Sequence, residues 1–592
     1  MQIGFPEYWL MIAYIIAAPC FLIGFNLSNR STSYVTYVFA LLLLVAYLLP
    51  FHVHPFRSYY NDALPILGVL LLAFFLGLKK EWRFVSLSLV PLGMVAWIVL
   101  QTVLIPHQDF FDLLFPCIYI ALAALAMVLG ASFTENDQQR DQFTLTMASV
   151  FFIAGVVSVL AQFFQVLDFN VSPYVIYMAH GDSIGRPYAN IAQPNQLALI
   201  LSFALAATYF LHQQKLLERV ASIIATVLLL MGIVLTQSRI GWIIVPAFSV
   251  FLWRRSADEQ NIPRPFLLLV PALYFAMVFL LPYVVGLFGQ TGGSLAEHIG
   301  GRSERSVLWK QAWHMAANHP WLGVGWFGFG SEQVKIAADF SSSTYAEHAH
   351  NIVLNLAAEI GWPITICLSL GFVWWFWQTC FRHKQSLTTR FAALCLIAAM
   401  VHSMVEFPLW YAYILLPVAM LMGILHQQRW PAVVTVVAPR LVVPVVLGSV
   451  FVMNLMTWDY QRVVAGFNVL RYQKEITEEG QKALVKPAYT FYPEFFDYFR
   501  LMQIQPYEGM SAHDIAYVEK WTLRFGFVHI LNKLAEIYVL NGEPQKAATM
   551  MQTLQRLHPY DYPEYFDYWK AKGAIDPRYQ AVVAHIPRRD AP

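Results

Sequence analysis

Three features of the chain predict an all-α polytopic membrane protein with a soluble helical tail. The composition is 58% hydrophobic and only 12% charged over 592 residues. Apolar runs of about twenty residues recur along it, which is the length that crosses the hydrocarbon of a bilayer. After about residue 457 the runs break up and charges become frequent. A mean hydropathy of +0.52 fits this reading. Formal net charge is +2, so no global basic field draws nucleic acid, and nucleic-acid binding is excluded as the main activity. All five cysteines, Cys20, Cys117, Cys367, Cys380 and Cys395, lie in or beside apolar segments, where they neither form a disulfide framework nor identify a compartment. Met1 to Pro6 leads into an apolar run with no basic stretch and no small-residue cleavage site, which predicts no removable signal peptide.

Candidate spans lie near 7–27, 34–51, 63–78, 84–105, 113–133, 143–167, 196–212, 219–236, 240–253, 265–286, 351–380, 391–405, 411–426 and 440–457. Several are short and one is long, so roughly 12–14 transmembrane helices are expected. Lys79, Lys80 and Arg83, then Arg140, then Lys215 and Arg219, then Arg254, Arg255 and Arg264, then Arg382, Lys384 and Arg390 fall in alternate connections. The positive-inside rule makes those connections cytoplasmic. The opposite face then carries 52–62, 106–112, 168–195, the turn at Gln237-Ser238-Arg239, a large loop of about 287–350, the turn near Glu406, and the tail. The expected domains are a membrane domain, 1–457, that includes the large loop, and a helical domain, 458–592.

Within the tail, Phe525 to Leu557 reads as two amphipathic helices separated by Asn541-Gly542-Glu543-Pro544. Tyr492-Pro493-Glu494-Phe495-Phe496-Asp497-Tyr498 is echoed by Tyr562-Pro563-Glu564-Tyr565-Phe566-Asp567-Tyr568. Leu534-Ala535-Glu536-Ile537-Tyr538, followed by Gly542 and Ala547, is similar to the tetratricopeptide helix-turn-helix pattern, whose stacked hairpins bind polypeptide. The alternative is that a repeated aromatic cluster only packs helical hairpins together.

The densest polar motif in an otherwise apolar setting is Glu347-His348-Ala349-His350-Asn351. Thr344-x-x-Glu347 has the form of a capping box, and Ile352, Leu356 and Ile360 follow at helical spacing, so a helix is expected to start near Tyr345 and to end or kink at Gly361 and Pro363. That places His350 in the second turn of the helix. A cap alone accounts for Glu347, and a pair of solvated interfacial histidines is the alternative for His348 and His350. A zinc site is disfavoured: side chains at i and i+2 diverge on a helix, and neither a cysteine nor a distant histidine pair supports one. No metal or other cofactor is expected.

His350-Asn351-x-x-Leu354-x-x-x-x-Glu359-x-Gly361, preceded by Arg302, Arg305 and Trp309 and by His319-Pro320-Trp321-Leu322-Gly323-Val324-Gly325, resembles the signature of the bacterial O-antigen ligase and polymerase superfamily. Within it the chain is most similar to the pilin O-oligosaccharyltransferases of the PglL type. Gly185-Arg186-Pro187-Tyr188, Gln193-Pro194-Asn195-Gln196, Gln237-Ser238-Arg239 and His402-Ser403-Met404-Val405-Glu406-Phe407-Pro408-Leu409 fit that subgroup, and the likeness runs from about residue 180 onwards.

The resemblance implies transfer of a preassembled glycan from an undecaprenyl-diphosphate carrier to a Ser or Thr hydroxyl of a pilin-like acceptor, at the periplasmic face of the bacterial inner membrane. An acceptor hydroxyl is a weak nucleophile at neutral pH, and a neutral histidine suits the role of base, which His350 is expected to fill. The leaving diphosphate needs charge stabilisation, and arginine's planar fork matches phosphate oxygens. Arg186, Arg239, Arg302 and Arg305 are the candidates. Arg239 sits between two apolar spans with almost no loop, where a charge is costly without a partner or an aqueous cavity; snorkelling at a helix end is the alternative. Asn351, His348, Gln193, Asn195, His402 and Glu406 are expected to support the site. Two other functions stand beside this one. The first is an O-antigen ligase or repeat-unit polymerase acting on a sugar acceptor. The second is a transporter of a lipid-linked substrate, which predicts inverted repeats and mid-bilayer polar residues that the chain does not display.

Overall fold

The computed structural model describes residues 31–78, 81–105, 110–132, 136–169, 171–178, 186–254, 262–287, 304–382, 385–431, 434–436, 439–473 and 475–589. The predicted first span, 7–27, lies outside the described residues, as does Arg302. The described chain is helical almost throughout, with one small antiparallel ribbon, β1 (Glu81–Arg83) on β2 (Val434–Val436). Among the described residues seven helices are long and apolar enough to cross a membrane, and four shorter apolar helices accompany them. The chain is a polytopic all-α membrane protein. It divides into two compact units: residues 1–95, 118–301 and 372–454, and residues 96–117, 302–371 and 455–592.

The helices of the first part of the chain follow the apolar runs closely. They are α1 (Ser31–Leu48), α2 (Tyr59–Leu78), α3 (Leu89–Leu104), α4 (Phe110–Ser132), α5 (Asp137–Val166), α6 (Pro194–Gln213), α7 (Arg219–Leu235), α8 (Gly241–Trp253) and α9 (Arg264–Leu287). Asn136 caps α5 by accepting from Gln139 N at 2.9 Å. α2 and α6 are chiefly apolar and buried along nearly their whole length, as expected of helices at the centre of a bundle. In the first unit, α6 packs against α5, α7 and α14 (Leu387–Ser403), and α2 against α1 and α15 (Ala412–Arg429). α4 and α15 cross at two glycines. A Cβ on Gly130 would lie 2.2 Å from the Met420 carbonyl oxygen, and one on Gly423 would lie 2.0 Å from that of Met127. Small residues let helix backbones approach this closely, and in a membrane such packing replaces the missing hydrophobic drive between helices.

The second unit is built on α10 (Glu304–Asn318), α11 (Phe329–Ile336) and α12 (Ile352–Ile360), together with the tail. The predicted span 351–380 is two helices. Gly361, at φ +84°, ends α12, and α13 (Trp362–Cys380) starts afresh with Pro363 in its first turn, where a missing N–H costs nothing. The predicted boundary at 457 falls inside α16 (Pro439–Tyr472), a helix of 34 residues. At 1.5 Å per residue it is about 51 Å long, some 20 Å more than the hydrocarbon needs. The charges that begin at Asp459 do not end the helix, and Asp459 itself is held by several donors. Asp459 accepts from Arg462 at 3.1 Å, from Thr490 Oγ1 at 2.8 Å and from Phe491 N at 2.6 Å.

The tail continues as α17 (Glu478–Leu484), α18 (Pro493–Gln503), α19 (Ala512–Arg524), α20 (Val528–Leu540), α21 (Pro544–Leu557), α22 (Tyr562–Gly573) and α23 (Pro577–Val583). α20 and α21 form the expected pair around Gly542, at φ +81°. Both copies of the repeat start a helix, α18 and α22, with the leading tyrosine fully buried. Tyr492 donates to Met456 O at 3.3 Å, and Tyr562 to Pro587 O at 2.6 Å. Val334 and Ala337 of the loop region share one core with Val518, Trp521, Leu534, Met551 and Trp569 of the tail.

Gly423→Val should lower stability by about 1–3 kcal/mol, because neither backbone at the α4–α15 crossing can yield. Gly371→Ala, where a Cβ meets open space, should be silent. Thermal unfolding midpoints of the purified variants check both.

Candidate functional site

The candidate residues fall in both units. In the first, the loop carrying Arg186 is anchored by glutamines of α5. Gln165 accepts from Tyr188 N and Ala189 N at 3.0 and 2.8 Å, and Gln162 donates to Pro187 O at 3.3 Å and to Gly232 O at 3.2 Å. Arg186 then donates from Nε to Thr236 O at 3.0 Å and from a terminal nitrogen to Asn195 Oδ1 at 3.1 Å. Asn195 in turn donates to Glu406 Oε1 at 2.9 Å. Three motifs separate in sequence, 185–188, 193–196 and 402–409, therefore join in one polar chain. It ends on Thr236, three residues before Arg239, whose side chain is exposed. Gln193 caps α6, its side-chain oxygen accepting from Gln196 N at 2.5 Å. His402 lies fully buried at the end of α14, and its carbonyl accepts from Glu406 N at 2.9 Å.

In the second unit the expected helix start is corrected. The Thr344-x-x-Glu347 capping box does not form. Asn351 is the N-cap, in extended backbone, and accepts from Leu354 N at 3.0 Å. Glu347 instead pairs with Arg524 of the tail at 3.1 Å. The segment before it is held elsewhere: Ser343 N donates to Arg556 O at 2.8 Å, Tyr345 N to Leu557 O at 3.2 Å, and Ala346 N to Gln333 Oε1 at 2.9 Å. With its backbone groups taken by α11 and the tail, 343–347 has no reason to coil.

His350 consequently sits one residue ahead of the cap rather than in a second helical turn. It is half-buried, with φ +51°. A left-handed backbone is uncommon for a residue with a Cβ and tends to mark functional sites. Ala349 beside it is buried against Leu308, Ala312 and Met315 of α10 and Ala358 of α12. Arg305 lies one residue into α10, three before Leu308 and so on the helix face that packs on Ala349.

His348 stands two residues before His350. It is buried, edge-on to Phe327 at 5.7 Å between ring centroids, and burial pushes its pKa down to about 4. It is a neutral packing residue at pH 7 and a poor proton acceptor. Arg524 covers the other contact of this loop, 4.8 Å from the Phe327 ring centroid.

Asn355, Gln333, Gln101 and Arg524 were not among the expected site residues, and Glu359 entered only as a letter of the motif. Four of these carry one readable sign, a polar side chain that the surrounding apolar pattern would bury. Gln101 donates to Leu322 O at 2.7 Å and to Glu359 O at 3.0 Å, and its Oε1 accepts from Trp326 N at 3.3 Å. Arg524 carries no such sign, because its partner is 177 residues away.

Two family models match the chain, and the 185–196 motifs lie outside both. Residues 224–369 match the O-antigen ligase family model, and residues 390–571 match one described as virulence factor membrane-bound polymerase, C-terminal. The chain is 27% identical over 547 residues to a general O-oligosaccharyltransferase of Acinetobacter baylyi, covering 88% of this chain and 92% of that protein. It is 22% identical over 388 residues to the ComP-specific O-oligosaccharyltransferase of the same organism, covering 65% of this chain and 69% of that protein.

His348 generates a pH prediction. Its folded pKa lies below the unfolded value, so above about pH 6.5 both states are neutral and it contributes nothing. Between about 6.5 and 4 the unfolded chain gains a proton that the folded one refuses, and stability should fall, by at most roughly 3 kcal/mol. His348→Asn should flatten that part of the curve of unfolding midpoint against pH.

Proposed function

Because the chain belongs to the O-antigen ligase and polymerase superfamily, and within it to the O-oligosaccharyltransferases, we propose that it moves a preassembled oligosaccharide from an undecaprenyl-diphosphate carrier to a Ser or Thr hydroxyl of a periplasmic, pilin-like acceptor. It is a glycosyltransferase and a multi-pass membrane protein, and transfer of an oligosaccharide to protein is its reaction. The inner membrane is its proposed location, with the site and the tail on the periplasmic side.

The proposed step is a single displacement at the anomeric carbon. The acceptor oxygen forms the new bond to that carbon while the carbon–oxygen bond to the diphosphate breaks and its electron pair leaves with the diphosphate. His350 takes the hydroxyl proton, and the configuration at the carbon inverts. Charge collects on the diphosphate oxygens, which Arg186, Arg239, Arg302 and Arg305 are proposed to bind. Asn195 and Glu406 orient Arg186 through the hydrogen-bonded chain that joins them, and Asn351 fixes the helix start behind His350. The step calls for neither a metal nor a covalent intermediate.

The observation that carries this reading is the left-handed backbone of His350 immediately before the Asn351 cap. A histidine held there by the fold rather than by local preference is costly to keep without a use. The same chemistry on a sugar acceptor is the second reading. It is favoured by the family models themselves, one describing a ligase and the other a polymerase.

His350→Ala should leave the protein inserted and folded while transfer falls at least about a hundredfold, the scale of a lost general base. The assay supplies purified protein with a lipid-linked oligosaccharide and a pilin-like acceptor and looks for a glycan mass on the acceptor. Full transfer by the variant removes His350 from the mechanism; glycan found only on lipid core or on longer glycan selects the second reading.

A further inference from the structure

Two residues with side chains bordering this loop system hold left-handed backbone, His350 at φ +51° and Phe327 at φ +62°. Each conformation costs on the order of 1 kcal/mol or more and persists only where neighbours impose it. Two side chains of α12, four residues apart and so on one face, reach both segments. Asn355 Oδ1 accepts from Ala349 N at 2.9 Å, fixing the peptide just ahead of His350. Glu359, 1% exposed, has its carboxyl near the N–H groups of Phe327 and Phe329. Backbone contacts tie the same places together: Gly325 N donates to Glu359 O at 3.1 Å and Val324 N to Ala358 O at 2.8 Å.

A buried carboxyl is a costly way to fill space, since an aliphatic side chain of that size packs without desolvating a polar group. Here it faces two backbone N–H groups, those of Phe327 and Phe329, that no helix or strand satisfies. Burial pushes the Glu359 pKa up to about 8, so at neutral pH the group is chiefly a protonated acid, which a glutamine mimics.

We propose that Asn355 and Glu359 are positioning residues, a paired brace on α12 that holds the His350 backbone and the Phe327 turn in their left-handed geometry. The role assigned to the brace rests on His350 acting as the base. Neither residue touches the reacting atoms; both act through the loop they hold.

The test uses the full-length enzyme in lipid nanodiscs, with transfer kinetics and hydrogen exchange measured on Glu359→Leu, Glu359→Gln, Asn355→Ala and Asn355→Asp. The glutamine keeps an oxygen for the Phe327 and Phe329 N–H groups, and the aspartate keeps one for Ala349 N–H. For the leucine and alanine variants, exchange in peptides covering 325–330 and 345–351 should rise about tenfold or more. Their kcat should fall about a hundredfold, the cost of a misplaced catalytic group, with donor KM little changed. The glutamine and aspartate variants should stay within about threefold of the parent in both readouts. A leucine variant as active and as protected as the parent overturns the brace, because packing alone then suffices. So does a glutamine variant as damaged as the leucine one. Should Glu359→Leu fail to fold, the alanine and aspartate pair at position 355 decides by the same contrast. If His350→Ala transfers glycan normally while exchange behaves as stated, it is the role of His350 that fails and the brace that stands.

Discussion

The second unit depends on the way the carbonyl end of α12 is satisfied. A helix leaves its last carbonyls without partners, and here a turn 34 residues earlier supplies them: Val324 N meets Ala358 O, Gly325 N meets Glu359 O, and Trp362 N returns to Pro320 O. The two backbones approach so closely that only glycine fits at the contact. A Cβ on Gly323 would lie 2.3 Å from the Glu359 carbonyl carbon, and one on Gly361 would lie 2.4 Å from Trp321 O; both residues also have positive φ. The His-Pro-Trp-Leu-Gly-Val-Gly motif is therefore the docking strip for α12. The helix it fixes carries Asn351, Asn355 and Glu359, and these in turn set the loop containing His350.

Polar residues do corresponding work in the first unit. Gln162, Gln165 and Asn190 hold the backbone at Val175, Tyr177, Pro187 and Ala189, so the residues that follow Arg186 are already committed. Arg186, Asn195 and Glu406 then share hydrogen bonds in series. An arginine whose fork is partly engaged by neutral neighbours keeps a fixed direction, which on the function proposed matters more for binding a diphosphate than the charge alone.

How much of this could be read from residues alone depended on the range of the interaction concerned. Most of the described apolar helices emerge to within a few residues because hydrocarbon thickness acts on every window of the chain independently. The break at Gly361 was readable for the same reason, as a glycine and a proline within three residues. The start of α12 was not. A capping box at Thr344 and Glu347 is locally sound, but Arg524, Arg556 and Leu557 claim those backbone and side-chain groups from about two hundred positions away, and the next cap, Asn351, takes over. The motif points to His350 as a candidate, but local pattern places it in a second helical turn and the fold places it before the cap. The arginines were chosen for charge at the ends of spans; of these, Arg186 acquires partners in the fold that no spacing rule could have named.

The tail shows the same limit at the scale of a domain. A change in composition near 457 predicts where the chain stops meeting lipid, but it says nothing about what the portion beyond packs against. α16 continues through that point, and Val334, Ala337 and Tyr345 of the large loop pack with α19, α20 and α21 in one core. Gly526 lies so close to Tyr345 that a Cβ there would come within 2.6 Å of the ring. A helical module held this tightly to the segment that leads into His350 is not a detachable acceptor-binding arm. On the function proposed, an acceptor that engages the tail engages the same compact unit that carries the base, and α11 and the 343–347 segment are the stretch of backbone through which the two are joined.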